Sequence, residues 1–197
     1  MSHKNNPPHR PLNVTQQAKH RIFVGLGWDP NERPGALDSI GALLGFRKTA
    51  HDLDLACFIY DTDANYIDAI SHGASKAIHI YHSGDSQEGI GEGDDEQISV
   101  ELKDLDPHIH HIVFTASIKS GHVFADIASP EIRIGDGYSN HVFLRSALDA
   151  KEGHDHSTYV FARIYRTGES WALHEINEYH RRSDIQNWPD FLKRYLV

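Results

Sequence analysis

The chain has 197 residues, 39% of them apolar, which is enough for one domain with a substantial hydrophobic core. Its net charge of −9, from 19 basic and 28 acidic side chains, excludes a non-specific nucleic-acid binder, because such a protein needs a basic face to neutralise phosphates. A single cysteine, Cys57, excludes an intrachain disulfide framework and is typical of a reducing compartment.

The beginning of the chain is polar, contains several prolines and shows no hydrophobic periodicity. We therefore expect a flexible N-terminal tail over residues 1–20. This segment lacks the apolar stretch of a secretory signal, and no apolar run approaches the ~20 residues that a membrane-spanning helix needs. These features predict a cytoplasmic protein without a transmembrane segment.

Short β-rich runs begin after Arg21, and turn residues separate them. The first run, 22–28, contains Gly25-x-Gly27 but lacks the third glycine of a dinucleotide-binding fingerprint. Helical spacing predicts one short helix over residues 36–44, and a second is expected over residues 66–71. The other predicted strands are 52–60, 76–82, 97–102, 111–118, 131–134, 141–144, 158–165 and 170–176.

Many short strands with few helices predict an all-β domain, a two-sheet β-sandwich, over residues 21–180. The remaining residues, 181–197, are expected to form a helical extension. Within it, residues 189–196 read as a helix, with proline in the first turn and Asp190 placed to complement the helix dipole. We expect its apolar side to cap the sandwich, while a partner-binding or membrane-surface helix is the alternative.

An acidic, glycine-rich stretch, residues 84–96, lies between two predicted strands. It holds six carboxylates and no basic side chain, with glycines at alternate positions 89, 91 and 93. Ca²⁺ takes about six to eight oxygen ligands from carboxylates, amides and backbone carbonyls, and this stretch can supply all of them. The sign of the charge excludes a phosphate cradle, and Ile90 at the turn-glycine position excludes an EF-hand. A solvated acidic loop is the alternative interpretation.

Five motifs occur together in this chain: Leu-Gly-Trp-Asp at 26–29, an Asp-x-Asp strand at 52–58, the acidic stretch, Ile-Val-Phe at 112–114 and Glu-Ile-Arg-Ile at 131–134. This combination closely resembles the TerD-type tellurium-resistance and stress-protein family, over about residues 21–178. The resemblance implies a β-sandwich that binds two Ca²⁺ ions between the acidic loop and the Asp-x-Asp strand. The metal ligands that we predict are Asp29, Asp52, Asp54, Asp85, Ser86, Gln87, Gly89, Glu92, Asp94, Asp95 and Glu96.

Three positions of the loop depart from the family pattern. Ser86 stands where the family usually has Asn, Glu88 where it often has Thr, and Ile90 where it often has Glu. The number of bound ions, one or two, therefore stays open. Outside the loop, we interpret the histidines at 108, 110 and 111 as exposed turn residues and Cys57 as an unreactive core thiol.

The resemblance implies a calcium-binding, stress-response domain of the tellurite-resistance type that acts as a binding or assembly module for other stress-response proteins. No G-x-S-x-G motif, P-loop or nucleophile beside an obvious base occurs, so we do not expect an enzyme. Two alternatives remain. One is a metal-dependent enzyme of phosphoryl hydrolysis, whose carboxylates hold two ions about 3.5–4 Å apart. The other is a scaffold that docks partners at the membrane edge through peripheral membrane contact.

Overall fold

The structure is a computed structural model of the chain, and it describes residues 9–29, 52–74, 76–83, 93–118, 121–148 and 151–197. The helix predicted over residues 36–44 lies outside these ranges, and so does most of the acidic stretch. Within them, no helix is both long enough and apolar enough to cross a membrane.

The described residues form twelve strands in two antiparallel sheets, which confirms the predicted β-sandwich. The strands are β1 (Arg10–Pro11), β2 (Arg21–Asp29), β3 (Leu53–Tyr60), β4 (Tyr66–Ile70), β5 (Lys76–Ala77), β6 (Ile80–His82), β7 (Glu96–Glu101), β8 (His111–Ile118), β9 (Ala128–Asp136), β10 (Val142–Ala147), β11 (Thr158–Thr167) and β12 (Ser170–His180). The first sheet has the order β1-β12-β11-β8-β3-β4, and the second has the order β10-β9-β2-β7-β6-β5.

The main core lies between the two sheets and follows the alternation of the strands. In β2, the side chains of Ile22, Val24 and Leu26 are fully buried between the sheets, while Arg21 and Phe23 lie on the outer face. Glycines replace larger residues further along that outer face. The second sheet therefore has one apolar face and one polar face.

A C-terminal helix covers part of the outer side of the first sheet, and the part that it covers is apolar as well. This helix, α1 (Trp188–Leu192), starts with Asn187 as N-cap and continues in a 3-10 turn over Lys193–Tyr195. Trp188 stacks on Phe58 with ring centroids 5.4 Å apart, and Leu192 belongs to the same buried cluster. The hydroxyl of Tyr60 donates a hydrogen bond to the carbonyl of Pro189 at 2.9 Å. The predicted capping helix is confirmed, although its regular part is shorter than residues 189–196.

Two expectations about local structure differ from what is observed. The short helix expected over residues 66–71 is instead β4, because its backbone pairs with β3 in an antiparallel ladder. Tertiary pairing here overrides a weak helical pattern. The strand expected over residues 76–82 is divided into β5 and β6 by a tight turn, in which His79 has a φ of 67°.

The described part of the expected N-terminal tail is packed on the domain. β1 pairs with β12, and Leu12 joins the main core at 7% exposure. The amide of Thr15 donates a hydrogen bond to the carboxylate of Asp136, which lies in the second sheet. Residues 9–20 therefore belong to the domain, because their backbone and one apolar side chain have partners in both sheets.

Candidate functional site

The predicted metal ligands that the structure describes lie at the ends of three strands. Asp29 ends β2, Asp52 and Asp54 flank the start of β3, and the acids at 94–96 lead into β7. Since β2 and β7 belong to the second sheet and β3 to the first, these ends meet at one end of the sandwich, between the sheets. The other predicted ligands, Asp85, Ser86, Gln87, Gly89 and Glu92, lie outside the described residues.

Glu96 connects the two sheets at this end. Its side chain is fully buried, and Oε2 accepts a hydrogen bond from the amide of Leu55 in β3 at 2.7 Å. The same oxygen lies 3.5 Å from Nε2 of the buried His82. Among the described residues, Oε1 has no hydrogen-bond partner although it is also buried. One carboxylate oxygen is therefore held by the protein and the other is left unpaired.

The electrostatic environment of Glu96 disfavours its ionised form. Burial raises the pKa of its carboxyl, and the nearby charge of Asp54 acts in the same direction. The hydrogen bonds from His82 and from the Leu55 amide lower the pKa and oppose these effects only in part. A positive charge beside Oε1 would stabilise the carboxylate.

Two further acids lie at the start of β3. Asp54 is 6% exposed, its Oδ2 is buried, and its charge acts on Glu96. Asp52 is half-buried, and its Oδ1 is likewise shielded from solvent. Glu96 and Asp54, from two sheets, thus bring two negative charges together in a largely dehydrated place, where Coulomb interactions are strong.

Asp95 and Asp29 lie at the neighbouring end of β2. Asp95 accepts a hydrogen bond from the amide of Trp28 at 2.9 Å and donates its own amide to the carbonyl of Leu26 at 2.9 Å. These bonds fix the start of β7 against β2. Asp29 is exposed at the last position of β2. Both acids therefore lie beside the buried group rather than inside it.

Asp94 faces the outer surface of the second sheet. It forms a bidentate ion pair with Arg133 of β9, with Nε to Oδ1 at 2.9 Å and Nη2 to Oδ2 at 3.0 Å. This pairing raises the pKa of Arg133. The charge of Asp94 is therefore already neutralised by the protein, unlike that of Glu96.

Sequence reasoning missed two members of this end of the sandwich. His82 was seen only as a strand residue, and Arg133 only as part of a motif. Their roles depend on which strands are neighbours, since Arg133 and Asp94 are brought together by β9 lying beside β2. The alternation of β9 does place Arg133 on the outer face, which was the one signal in the sequence.

A second acidic group in the described residues is already filled by a cation of the protein. His79, Glu101 and Asp104 offer ligand atoms within 4.8 Å of one another. Nζ of Lys19, however, lies 2.8 Å from the Asp104 carboxylate and 3.4 Å from that of Glu101. This group therefore has little remaining charge to attract a metal ion.

The remaining candidates of the sequence divide into exposed and buried groups. His108 is exposed, as expected, and is bonded to Asp106. His111, the first residue of β8, is only 6% exposed. Cys57 is fully buried as predicted, and burial raises the pKa of its thiol to about 12. The expectation that all three neighbouring histidines are exposed is wrong for His111.

Comparisons with known proteins agree with this fold and motif set. The family model of the TerD domain matches residues 9–186. The chain is 29% identical to tellurium resistance protein TerZ of Serratia marcescens, over 81% of this chain and 80% of TerZ. It is 28% identical to stress response protein SCP2 of Bacillus subtilis, over 89% of each chain. The crystal structure of a Streptomyces coelicolor homologue of the telluride resistance protein superposes with a TM-score of 0.65 at 20% identity, covering 88% of this chain and 94% of the homologue.

Proposed function

This chain belongs to the TerD domain family of tellurium-resistance and stress-response proteins, and from that premise we propose that it binds calcium at the end of its β-sandwich. In this proposal, calcium binding completes a surface on which other stress-response proteins assemble. The protein is a cytoplasmic binding or assembly module and not an enzyme.

One observation carries the proposal, and it is the state of Glu96. This carboxylate is fully buried, one of its oxygens has no hydrogen-bond partner among the described residues, and Asp54 adds a second negative charge nearby. Burying such a charge is costly unless a partner of opposite sign compensates it. Among the described residues, the basic side chain of His82 lies 3.5 Å from the other oxygen, Oε2, and so does not compensate Oε1. A hard dication fits this donor set, because all available ligands are oxygens.

The residues that would hold calcium come from both sheets and from the acidic stretch. Asp54 and Glu96 would supply buried carboxylates, and Asp52 would supply a half-buried one. Asp29 and Asp95 stand at the edge of the group, and the acids of residues 84–92 supply further oxygens from the sequence. Asp94 is committed to Arg133, so it contributes to the site by fixing the start of β7.

Calcium supplies positive charge at a point where the two sheets meet. Two ions would neutralise up to four carboxylate charges, and the gain in stability would follow from binding the folded chain only. With its charge neutralised, this end of the sandwich would no longer repel negatively charged partners. This is the physical basis on which we propose an assembly role.

Isothermal calorimetry with Ca²⁺ and Mg²⁺ tests the calcium proposal. We expect Ca²⁺ to bind with a stoichiometry of one or two and Mg²⁺ to bind more weakly, because Mg²⁺ dehydrates reluctantly. Asp54→Asn should weaken Ca²⁺ binding at least ~10-fold, the loss of about one charged interaction. Asp104→Asn is the matched control, since that acid pairs with Lys19 beyond the far end of β7. Absence of Ca²⁺ heat, or equal binding by both variants, would overturn the proposal.

A further inference from the structure

Arg163 lies on the outer face of the first sheet among aromatic and histidine side chains. In the strand register it stands opposite His174 of β12, and Tyr165, two residues further, stands opposite His111 of β8. Alternation therefore places all four side chains on one face. The ring of His9 covers this group, with centroids 5.5 Å from Tyr165 and 5.1 Å from His174.

The guanidinium of Arg163 is buried without a counter-charge. The residue is 2% exposed, and its buried Nε and Nη1 have no hydrogen-bond partner among the described residues. In the part of the chain that the structure describes, no carboxylate forms an ion pair with it. Tyr165 stacks on the guanidinium at 4.6 Å, but stacking covers only its face and leaves the N–H groups at its edge unpaired.

Two other partly buried arginines of this chain have hydrogen-bond acceptors for their guanidinium groups. Arg166 donates to the carbonyls of Ile109 and Leu105 at 2.7 and 3.0 Å. Arg133 pairs with the carboxylate of Asp94. Arg163 differs from both, although it is the most deeply buried of the three. An unpaired buried charge costs several kcal/mol, so its retention indicates a partner that comes from outside.

His111 and His174 add two hydrogen-bond donors beside Arg163. They are 6% and 7% exposed, and among the described residues the buried Nδ1 of each has no hydrogen-bond partner. Nε2 of His111 lies 3.2 Å from Nδ1 of His110, so it can accept a hydrogen bond from that ring while its own Nδ1 carries the hydrogen. Burial and the charge of Arg163 lower the pKa of both buried histidines, which keeps them neutral donors.

The carboxylate whose charge acts on His111 is engaged elsewhere. Asp61, whose charge is felt by His111, accepts hydrogen bonds from the amides of Asp63 and Asn65 and from the Asn65 side chain, all between 2.8 and 2.9 Å. It therefore does not neutralise Arg163. The group as a whole is cationic and donor-rich, with His9 exposed and His110 half-buried at its rim.

We propose that Arg163, together with His111 and His174, forms a binding site for a small oxyanion of the phosphate class. Arg163 offers an N–H edge and each imidazole one N–H group on the same face of the sheet, and the charge of Arg163 acts on both rings. Phosphate suits this set, because arginine pairs with two of its oxygens and further oxygens are left for the imidazole groups. The site is separate from the carboxylates around Glu96. Asp54 pairs with Ser117 near the end of β8, whereas His111 is its first residue.

The test is a titration of the calcium-free full chain, prepared on a chelating resin, with inorganic phosphate. NMR of the arginine Nε–H and histidine ring nitrogens should show saturable shifts at Arg163, His111 and His174. Chloride at equal ionic strength should not produce these shifts. A titration without saturable shifts at Arg163 overturns the proposal, and acetate binding as tight as phosphate binding overturns the phosphate class.

Variants separate this site from general charge effects. Arg163→Gln should weaken phosphate binding at least ~10-fold, because a charge-assisted hydrogen bond is lost. Arg145→Gln is the matched control, since this exposed arginine of the second sheet removes the same charge. His174→Phe keeps Arg163 and should weaken binding severalfold. Equal phosphate affinity in Arg163→Gln and Arg145→Gln would contradict the site, and the calcium titration is unaffected by either result.

Discussion

The carboxylate of Asp94 lies directly over Gly25, so closely that a Cβ atom at residue 25 would overlap it. Gly25 is flanked in the ladder by Arg133 on one side and Gln97 on the other. The absence of a side chain there creates the space in which Asp94 meets Arg133. Gly25 in the Gly25-x-Gly27 pair, which resembles no nucleotide motif, thus has a packing role.

Gly25→Ala should therefore destabilise the protein. The added methyl displaces Asp94, and both the overlap and the lost ion pair contribute, so we expect a decrease in the free energy of unfolding of about 2–4 kcal/mol. Urea denaturation measures the change. Gly73→Ala is the control, because no atom lies within 4 Å of its Cβ position. Equal effects of the two substitutions would show that the space over Gly25 is not needed.

Glu96→Gln should separate two effects of the buried carboxylate: the destabilisation caused by its charge and its contribution to calcium binding. Without calcium, we expect the free energy of unfolding to rise by on the order of 1 kcal/mol, because a desolvated charge is removed while the acceptor for the Leu55 amide remains. With calcium at about 100 times the dissociation constant, the wild type should gain about 2.7 kcal/mol and the variant far less. Denaturation with and without Ca²⁺ measures both effects.

Glu101→Gln provides the comparison for Glu96→Gln. Glu101 lies on the same strand but pairs with Lys19 and His79, away from the proposed calcium site. It should keep the full gain in stability from calcium. A Glu96→Gln variant that gains as much as Glu101→Gln would show that Glu96 does not bind the ion.

His111 should make the protein sensitive to acid. Burial, Arg163 and His110 lower its folded pKa from 6.5 to about 4, while Asp61 raises it slightly. Below pH 6.5 the unfolded chain binds more protons than the folded chain. The contribution of His111 to stability is therefore fully present above pH 6.5 and is lost as the pH falls towards 4. The loss is on the order of 3 kcal/mol at most.

This prediction is tested by measuring denaturation midpoints of the wild type, His111→Gln and His108→Gln in phosphate-free buffer from about pH 7 to about pH 4. The His111 variant should lose less stability on acidification than the wild type. His108 is exposed, so its variant should follow the wild type. Parallel curves for all three proteins would contradict the assignment.

The C-terminal helix should contribute to the stability of the whole domain. Leu192 is fully buried against the outer face of the first sheet. Leu192→Ala should decrease the free energy of unfolding by about 2–5 kcal/mol, because it leaves a cavity there. Thermal denaturation measures this change, with the exposed Lys193→Ala as control. A loss of stability in Leu192→Ala no larger than that in Lys193→Ala would contradict a stabilising contact between the helix and the sheet.

Cys57 should be chemically silent in the folded protein. Its thiol is fully buried, and burial raises its pKa to about 12, so hardly any reactive thiolate forms near neutral pH. A disulfide reagent such as dithionitrobenzoate should react with it only after unfolding in urea. Rapid labelling under native conditions would reopen a role for this thiol in redox chemistry.

The sequence predicted the parts of the fold that depend on local pattern. The apolar run 55–60 indicated a strand buried on both faces, and α1 does cover the outer face of β3. β4 was missed because its side chains are mostly exposed, so its strand character comes from pairing with β3. Pairing between distant strands is not written in a local pattern.

The candidate sites show the same division. The family motif predicted Glu96 and Asp54 as metal ligands, but only the structure shows that the amide of Leu55 bonds Oε2 of Glu96 and that Oε1 has no partner among the described residues. In sequence, Arg163 looks like any polar residue of a strand. Its unpaired state follows from which residues of β8 and β12 lie beside it. Chemistry of this kind depends on neighbours that are more than ten positions apart.

The shortness of β1 has a consequence for association between molecules. β12 is eleven residues long, and β1 pairs only with Leu173 and Ala172 at its beginning. Pro11 cannot donate a further ladder hydrogen bond, and Asn177 has a φ of 53°, which interrupts the extended backbone of β12. The ion pair of Arg10 with Glu175 places charge along the same border. This edge of the first sheet is therefore poorly suited to pairing with a strand of another molecule, because it carries a proline, a residue with left-handed backbone and an ion pair.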